Sequence, residues 1–135
     1  MTLERINPEE LARPSGFVHA VRARGTVTVH LAGQTALDRD GRIVGGGVVG
    51  QFEQALTNLL TALRAAGGGP EHLASLTIYI VDVEDYRAHA REIGRVWRRL
   101  AGTDYPATAG IGIARLWDDD ALVELQGTAE LPTDS

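Results

Sequence analysis

Six apolar residues at helical spacing, Phe52, Ala55, Leu56, Leu59, Leu60 and Leu63, form one stripe in the middle of this chain. Offsets of i, i+3, i+4, i+7, i+8 and i+11 put them on one side of a helix, and that side must cover another apolar surface. Gly67-Gly68-Gly69-Pro70 stops the helix, with Gly67 suited to a left-handed cap. The segments before and after it carry strand patterns, so the surface is a sheet.

Residues 1–16 are polar, contain Pro8, Pro14 and Gly16, and read as a leader and loop. Phe17 to Ala23 is strand-like and turns at Arg24-Gly25. Thr26 to Ala32 alternates, with Val27, Val29 and Leu31 on one face and Thr28 and His30 on the other. Asp38-Arg39-Asp40-Gly41 reads as a turn, and Arg42-Ile43-Val44 as at most a short strand. Leu73 to Val81 is a nearly continuous apolar run that suits a central, well-covered strand. Asp82 caps a second helix whose buried stripe is Tyr86, Ala90, Ile93, Trp97 and Leu100, and Gly102 ends it. Two strands joined by the acidic turn Asp118-Asp119-Asp120 close the chain and read as a hairpin.

The order β-β-(β)-α-β-α-β-β predicts an α+β domain: a single mixed sheet with two helices on one face. The 135 residues form one domain, residues 1–135, with its core at about 16–131. Strand parity assigns Ala109, Ile111 and Ile113 of the first closing strand to the helix side, with Val123, Leu125 and Ala129 of the second. Thr108, Gly110 and Gly112 then share the opposite face with Glu124, Gln126 and Thr128. That face is too small and polar for a monomer core, and glycines inside a strand mark close approach by a backbone or ligand.

These pieces occur together in the order and spacing of one family. Ala32-Gly33-Gln34 with Leu37-Asp38, Ala65-Ala66-Gly67, Val81-Asp82-Val83-Glu84-Asp85-Tyr86, Pro106-Ala107-Thr108 and Val123-Glu124-Leu125 resemble the RidA (YjgF-type) imine/enamine deaminases. The resemblance runs from about Gly16 to Glu130. It implies a chorismate-mutase-like fold and a barrel-like homotrimer whose small-molecule sites lie in clefts between subunits.

By the same resemblance, the residue after Pro-Ala is an arginine that grips a substrate carboxylate. Here it is Thr108. One neutral hydroxyl replaces a two-pronged charged grip, a loss of roughly 1.5–3 kcal/mol per bond. Arg115 lies an odd number of residues away and points to the other face, while Arg22 or Arg24 could reach in from another subunit. Glu124 falls where the family places the glutamate that orients or activates the attacking water, a role an acid can fill. Phe17 takes the place of a tyrosine, Ala32 of the serine before Gly33-Gln34, and Ala90 (or His89, by a one-residue shift) of an asparagine. With Gly33 and Gly110 these positions make the expected substrate pocket. Polar groups have become apolar or small, which points away from a standard 2-aminoacrylate deaminase.

A net charge of −5 disfavours a nucleic-acid partner and the ribonuclease activity known among relatives. Arg91, Arg95, Arg98 and Arg99 read as a solvated helix face. There is no cysteine, and the four histidines have no metal-ligand spacing, so neither metal nor cofactor is expected. Gly45-Gly46-Gly47 lacks the lysine and hydroxyl of a phosphate loop. No apolar run approaches ~20 residues, so no membrane partner and a cytoplasmic location are expected. Two functions remain: a hydrolase of C=N bonds in imines, enamines or related metabolites, and a non-catalytic, small-molecule-binding or regulatory trimer.

Overall fold

The computed structural model describes residues 1–133. Four strands form the main sheet: β3 (Thr26–Gln34), β4 (Leu73–Ile80), β5 (Ala107–Gly112) and β6 (Val123–Pro132). Their spatial order is β3-β6-β4-β5, with β4 and β5 parallel and the other pairs antiparallel. Helices α1 (Gly47–Ala65), α2 (Val83–Ala88) and α3 (Ala90–Ala101) pack on one face of this sheet. The architecture is the expected α+β arrangement of helices on a mixed sheet.

The apolar stripe explains the packing. Phe52, Leu56, Leu59, Leu60 and Leu63 of α1 are fully buried against Leu76, Ile78, Val123, Leu125 and Ala129 of the sheet. Gly46, at φ 95°, turns the chain into α1 six residues before Phe52, where the apolar stripe begins. Gly67, at φ 94°, closes it as the sequence suggested. Two amides, buried Gln51 and half-buried Asn58, tie the loops to α1. Gln51 donates from Nε2 to the Asp120 carbonyl (3.0 Å) and accepts from the Leu122 N–H (2.8 Å). Asn58 donates to the carbonyls of Thr35 and Leu37 (3.1 and 2.8 Å) and so fixes the segment leaving β3.

The structure corrects the sequence reading in several places. The leader contains a strand, β1 (Thr2–Ile6), which pairs antiparallel with β2 (Ala20–Arg24) in a separate two-stranded ribbon. Its apolar residues Leu3 and Ile6 lie three apart and give no period-two signal. Pairing holds the strand, assisted by the Glu4–Arg22 ion pair at 2.9 Å. β2 starts at Ala20 rather than Phe17, and Val18 instead makes a single parallel bridge to Ala107. Arg42-Ile43-Val44 contributes only the isolated bridge between Ile43 and Leu37. The second helix is two helices, broken where His89 leaves helical dihedrals (φ −109°, ψ 17°). Asp82 caps α2 as expected, its side chain accepting from the Asp85 N–H at 3.0 Å.

The closing segment is not a hairpin. β4, the most apolar strand, lies between β5 and β6. The connecting loop spans its end: Ile113 N–H donates to the Ile80 carbonyl, and Val81 N–H to the Leu122 carbonyl. The parity of β5 is also the reverse of the expected one. Thr108, Gly110 and Gly112 lie opposite Leu76, Ile78 and Ile80, on the helix side. Ala109 and Ile111 lie opposite Thr77 and Tyr79 on the open face, where Ile111 is 42% exposed. The reason is space. A Cβ at Gly112 would come within 2.8 Å of Val83 Cγ2, so only small residues fit beneath α2. On β6 the expected parity holds: Val123 and Leu125 are buried, and Glu124 and Gln126 are on the open face.

Candidate functional site

The expected site residues divide between the two faces of the sheet. On the helix side, β4, β5, α2 and α3 enclose a cleft of about 580 Å³. Leu76, Ile78 and Thr108 line its sheet side, Phe52, Tyr86 and Trp97 its helix side, and Ser15 and Gly16 its rim. Ala90 also lines it, whereas His89 does not. His89 turns its Nδ1 to the Asp85 carbonyl (2.9 Å), a bond that raises the imidazole pKa with help from the Asp85 and Glu92 carboxylates. Gly110 sits on the same side of β5, and a Cβ there would touch only Ile80 Cδ1 at 3.7 Å. Phe17, next to Gly16, packs edge-on against His19 (centroids 5.4 Å apart) and does not line the cleft.

Thr108 is not a free ligand group: its Oγ1 donates to the Pro106 carbonyl at 2.9 Å. Two other polar groups, on residues that line the cleft, lack partners among the described residues. The Trp97 indole N–H is buried without an acceptor. The Tyr86 phenol makes no side-chain hydrogen bond, and burial pushes its pKa up to about 12. Neither residue was singled out from the sequence, because both belong to the apolar stripe of a helix. Arg91, Arg95 and Arg98 line the cleft too. Their offsets of four and three residues on the same helix were the available signal.

On the open face, Glu124 lies opposite Tyr79 and beside β3. A Cβ at Gly33 would stand 2.9 Å from the Glu124 Cδ, so the carboxylate rests on the glycine. Ala32 is exposed beside Gly33, where the β3–β6 register shifts between Leu31 and Gln34. Glu124 is half-buried, yet its side chain makes no hydrogen bond or ion pair among the described residues. Its neighbours on this face are engaged. Thr26 and Thr28 both donate to Glu130 Oε1 (2.9 and 2.8 Å), and the Ser75 and Thr128 hydroxyls share a bond of 2.7 Å. Glu124 is therefore an uncommitted carboxylate within a satisfied polar surface.

Of the arginines considered as substitutes, Arg115 and Arg22 are occupied within the chain, whereas Arg24 makes no side-chain hydrogen bond or ion pair among the described residues. Arg115 binds Asp119 and the Leu116 carbonyl, and Arg22 binds Glu4. His19 donates from Nε2 to the Ala12 carbonyl at 2.7 Å, and His30 lies on the open face of β3. No three His, Cys, Asp or Glu residues among those described converge as a metal site. No described helix is long and apolar enough to cross a membrane.

Residues 8–131 match the protein family described as Endoribonuclease L-PSP. The chain is 35% identical over 136 residues to a RutC family protein of Synechocystis, covering 98% of this chain and all of the relative. It is 28% identical over 103 residues to the human 2-iminobutanoate/2-iminopropanoate deaminase, covering 76% and 72% of the two chains. Among solved structures, the Rid family protein YyfB from Yersinia pestis superposes with a TM-score of 0.85 at 35% identity, covering 97% of this chain and all of that one.

Proposed function

The chain belongs to the Endoribonuclease L-PSP family, whose relatives include Rid and RutC proteins and imine deaminases, and we propose that it hydrolyses C=N bonds of small imines or enamines at sites shared between subunits of a homotrimer. The observation that carries this reading is Glu124: a half-buried carboxylate with no partner, held against Gly33 where a strand register shifts. In the reaction Glu124 takes a proton from water as the oxygen attacks the imine carbon. It then returns a proton to nitrogen, and the carbinolamine collapses to a carbonyl compound and ammonia. An enamine first takes a proton on carbon to become the imine.

Sharing between subunits follows from the split site. A ligand in the Thr108 cleft lies across the sheet from the same chain's Glu124. A second copy that docks its open face beside that cleft supplies the missing acid. The small, polar character of the open face supports this docking, as does Ile111 exposed upon it. RNA cleavage is set aside because a net charge of −5 opposes binding to a phosphate backbone.

A second reading, a binding trimer without turnover, is favoured by one observation: the Thr108 hydroxyl is already used by the Pro106 carbonyl. One experiment decides. 2-Aminoacrylate or another short imino acid is generated in the presence of the protein, and keto-acid release is followed. Acceleration over buffer that Glu124→Gln removes supports the hydrolase. No acceleration with any imine leaves the binding trimer. Activity gained by Thr108→Arg toward short imino acids identifies the absent arginine as the cause of weak turnover.

A further inference from the structure

Arg91, Arg95 and Arg98 lie on one side of α3, and all three line the helix-side cleft. None has a side-chain hydrogen bond or ion pair among the described residues, whereas the adjacent Arg99 binds Glu53 at 2.5 Å. No Asp or Glu lines the cleft. The Arg98 guanidinium folds back along the helix, with Nη1 3.3 Å from where a Cβ at Gly94 would stand. Glu92 shares the adjoining surface groove with Arg91 and Arg95 but pairs with neither among the described residues, so the three cations repel one another and favour a bound anion.

The rest of the lining defines what that anion carries. Phe52, Leu76, Ile78 and Ile93 give an apolar wall. The Tyr86 O–H, which has no side-chain partner among the described residues, can donate. A volume of about 580 Å³ lies within the range of sites that enclose a ring-sized ligand.

We propose that this cleft binds a small organic anion with a flat apolar body, an aromatic carboxylate in its simplest form, and that Arg91, Arg95 and Arg98 on α3 hold its carboxylate. The cationic role for which β5 offers only Thr108 is moved to the facing helix. This deepens the reading above by naming the substrate class of the same site.

Equilibrium binding tests it without turnover. Phenylacetate, acetate and phenylacetamide are titrated against the whole protein by calorimetry. In parallel, the emission of Trp97 is followed in a Trp117→Phe background, which leaves one tryptophan. Phenylacetate is expected to bind at least about tenfold more tightly than either comparison compound, since one lacks the apolar body and the other the charge. The triple variant Arg91→Gln, Arg95→Gln, Arg98→Gln is expected to lose at least about tenfold in phenylacetate affinity with its circular dichroism unchanged. Phenylacetamide binding within about twofold of phenylacetate on the unmodified protein overturns the proposal, and so does undiminished binding by a folded triple variant. Failure of either binding result leaves the Glu124 assay standing, and an inactive enzyme leaves the binding results standing.

Discussion

Thr108 and Glu124 lie on opposite faces of the sheet, Thr108 opposite Leu76 on the helix side and Glu124 opposite Tyr79 on the open side. The two positions that the family resemblance joins in one pocket are thus separated by the thickness of a β-layer. Two copies of the chain can unite them where one copy cannot.

Subunit mixing tests this arrangement. Glu124→Gln removes the acid, and Thr108→Trp fills the cleft. Each variant alone is expected to be inactive. Refolded together in equal amounts, they should regain activity at roughly a quarter of the sites, because a cleft from one variant meets a glutamate from the other. A mixture as inactive as its components would place the whole site within one chain.

Glu124→Gln should also separate activity from stability. The carboxylate has no partner among the described residues, so its loss should change unfolding free energy by no more than about 0.5 kcal/mol. Turnover should fall on the order of 10² to 10⁴-fold if it is the general base. Urea melts together with keto-acid release measure both quantities. A large stability loss would identify Glu124 as structural.

The contact between Gly33 and Glu124 predicts a positioning effect. A methyl group at Gly33 would occupy the space of the carboxylate, and the flexible glutamate would have to move. Gly33→Ala is therefore expected to lower kcat more than it raises KM while the protein melts normally. Unchanged kcat would show that the carboxylate acts from another position.

The α1 stripe and the strand run 73–81 were legible because burial on one face leaves a period in the sequence. Which face of β5 meets the helices was not. Parity alone placed Ile111 inside, but the crowding of Val83 over Gly112 decides it, and that contact joins residues far apart in sequence. The false hairpin has the same origin: the insertion of β4 between β5 and β6 is a pairing choice that neither strand encodes locally. Thr108, Glu124, Gly33 and Ala90 were found by resemblance. The cleft groups Tyr86, Trp97 and Arg95 looked like ordinary core and surface positions of an amphipathic helix.

Tyr86 predicts a pH effect on stability. Its folded pKa is raised by burial from 10.0 to about 12. Between those values the unfolded chain binds fewer protons than the folded one, so stability falls as pH rises through that window. The contribution is full below the unfolded pKa and lost above the folded one. Its size is roughly 2–3 kcal/mol for the full shift. Tyr86→Phe has no proton to lose there. The stability difference between parent and variant, from urea melts at several pH values across the window, should decline with pH. A constant difference would mean that the phenol is solvated in the cleft.

Two glycines in the sheet should respond oppositely to one methyl group. A Cβ at Gly127 would collide with the Ser75 carbonyl and stand 3.5 Å from the Leu76 Cα, beside the register shift between Leu73 and Ser75. Backbone cannot turn aside as a side chain can, so Gly127→Ala should cost about 1–3 kcal/mol. At Gly110 the nearest atom is Ile80 Cδ1 at 3.7 Å, an ordinary contact, and alanine there should change stability by no more than about 0.5 kcal/mol. Thermal melts of both variants decide whether pairing needs a glycine at 127 and not at 110, which shares the cleft's side of β5 without lining the cleft. If Gly110→Ala melts normally but binds phenylacetate more weakly, its smallness serves the ligand. If both variants melt normally, the β4–β6 pairing around Ser75 must yield more readily than its backbone contacts imply.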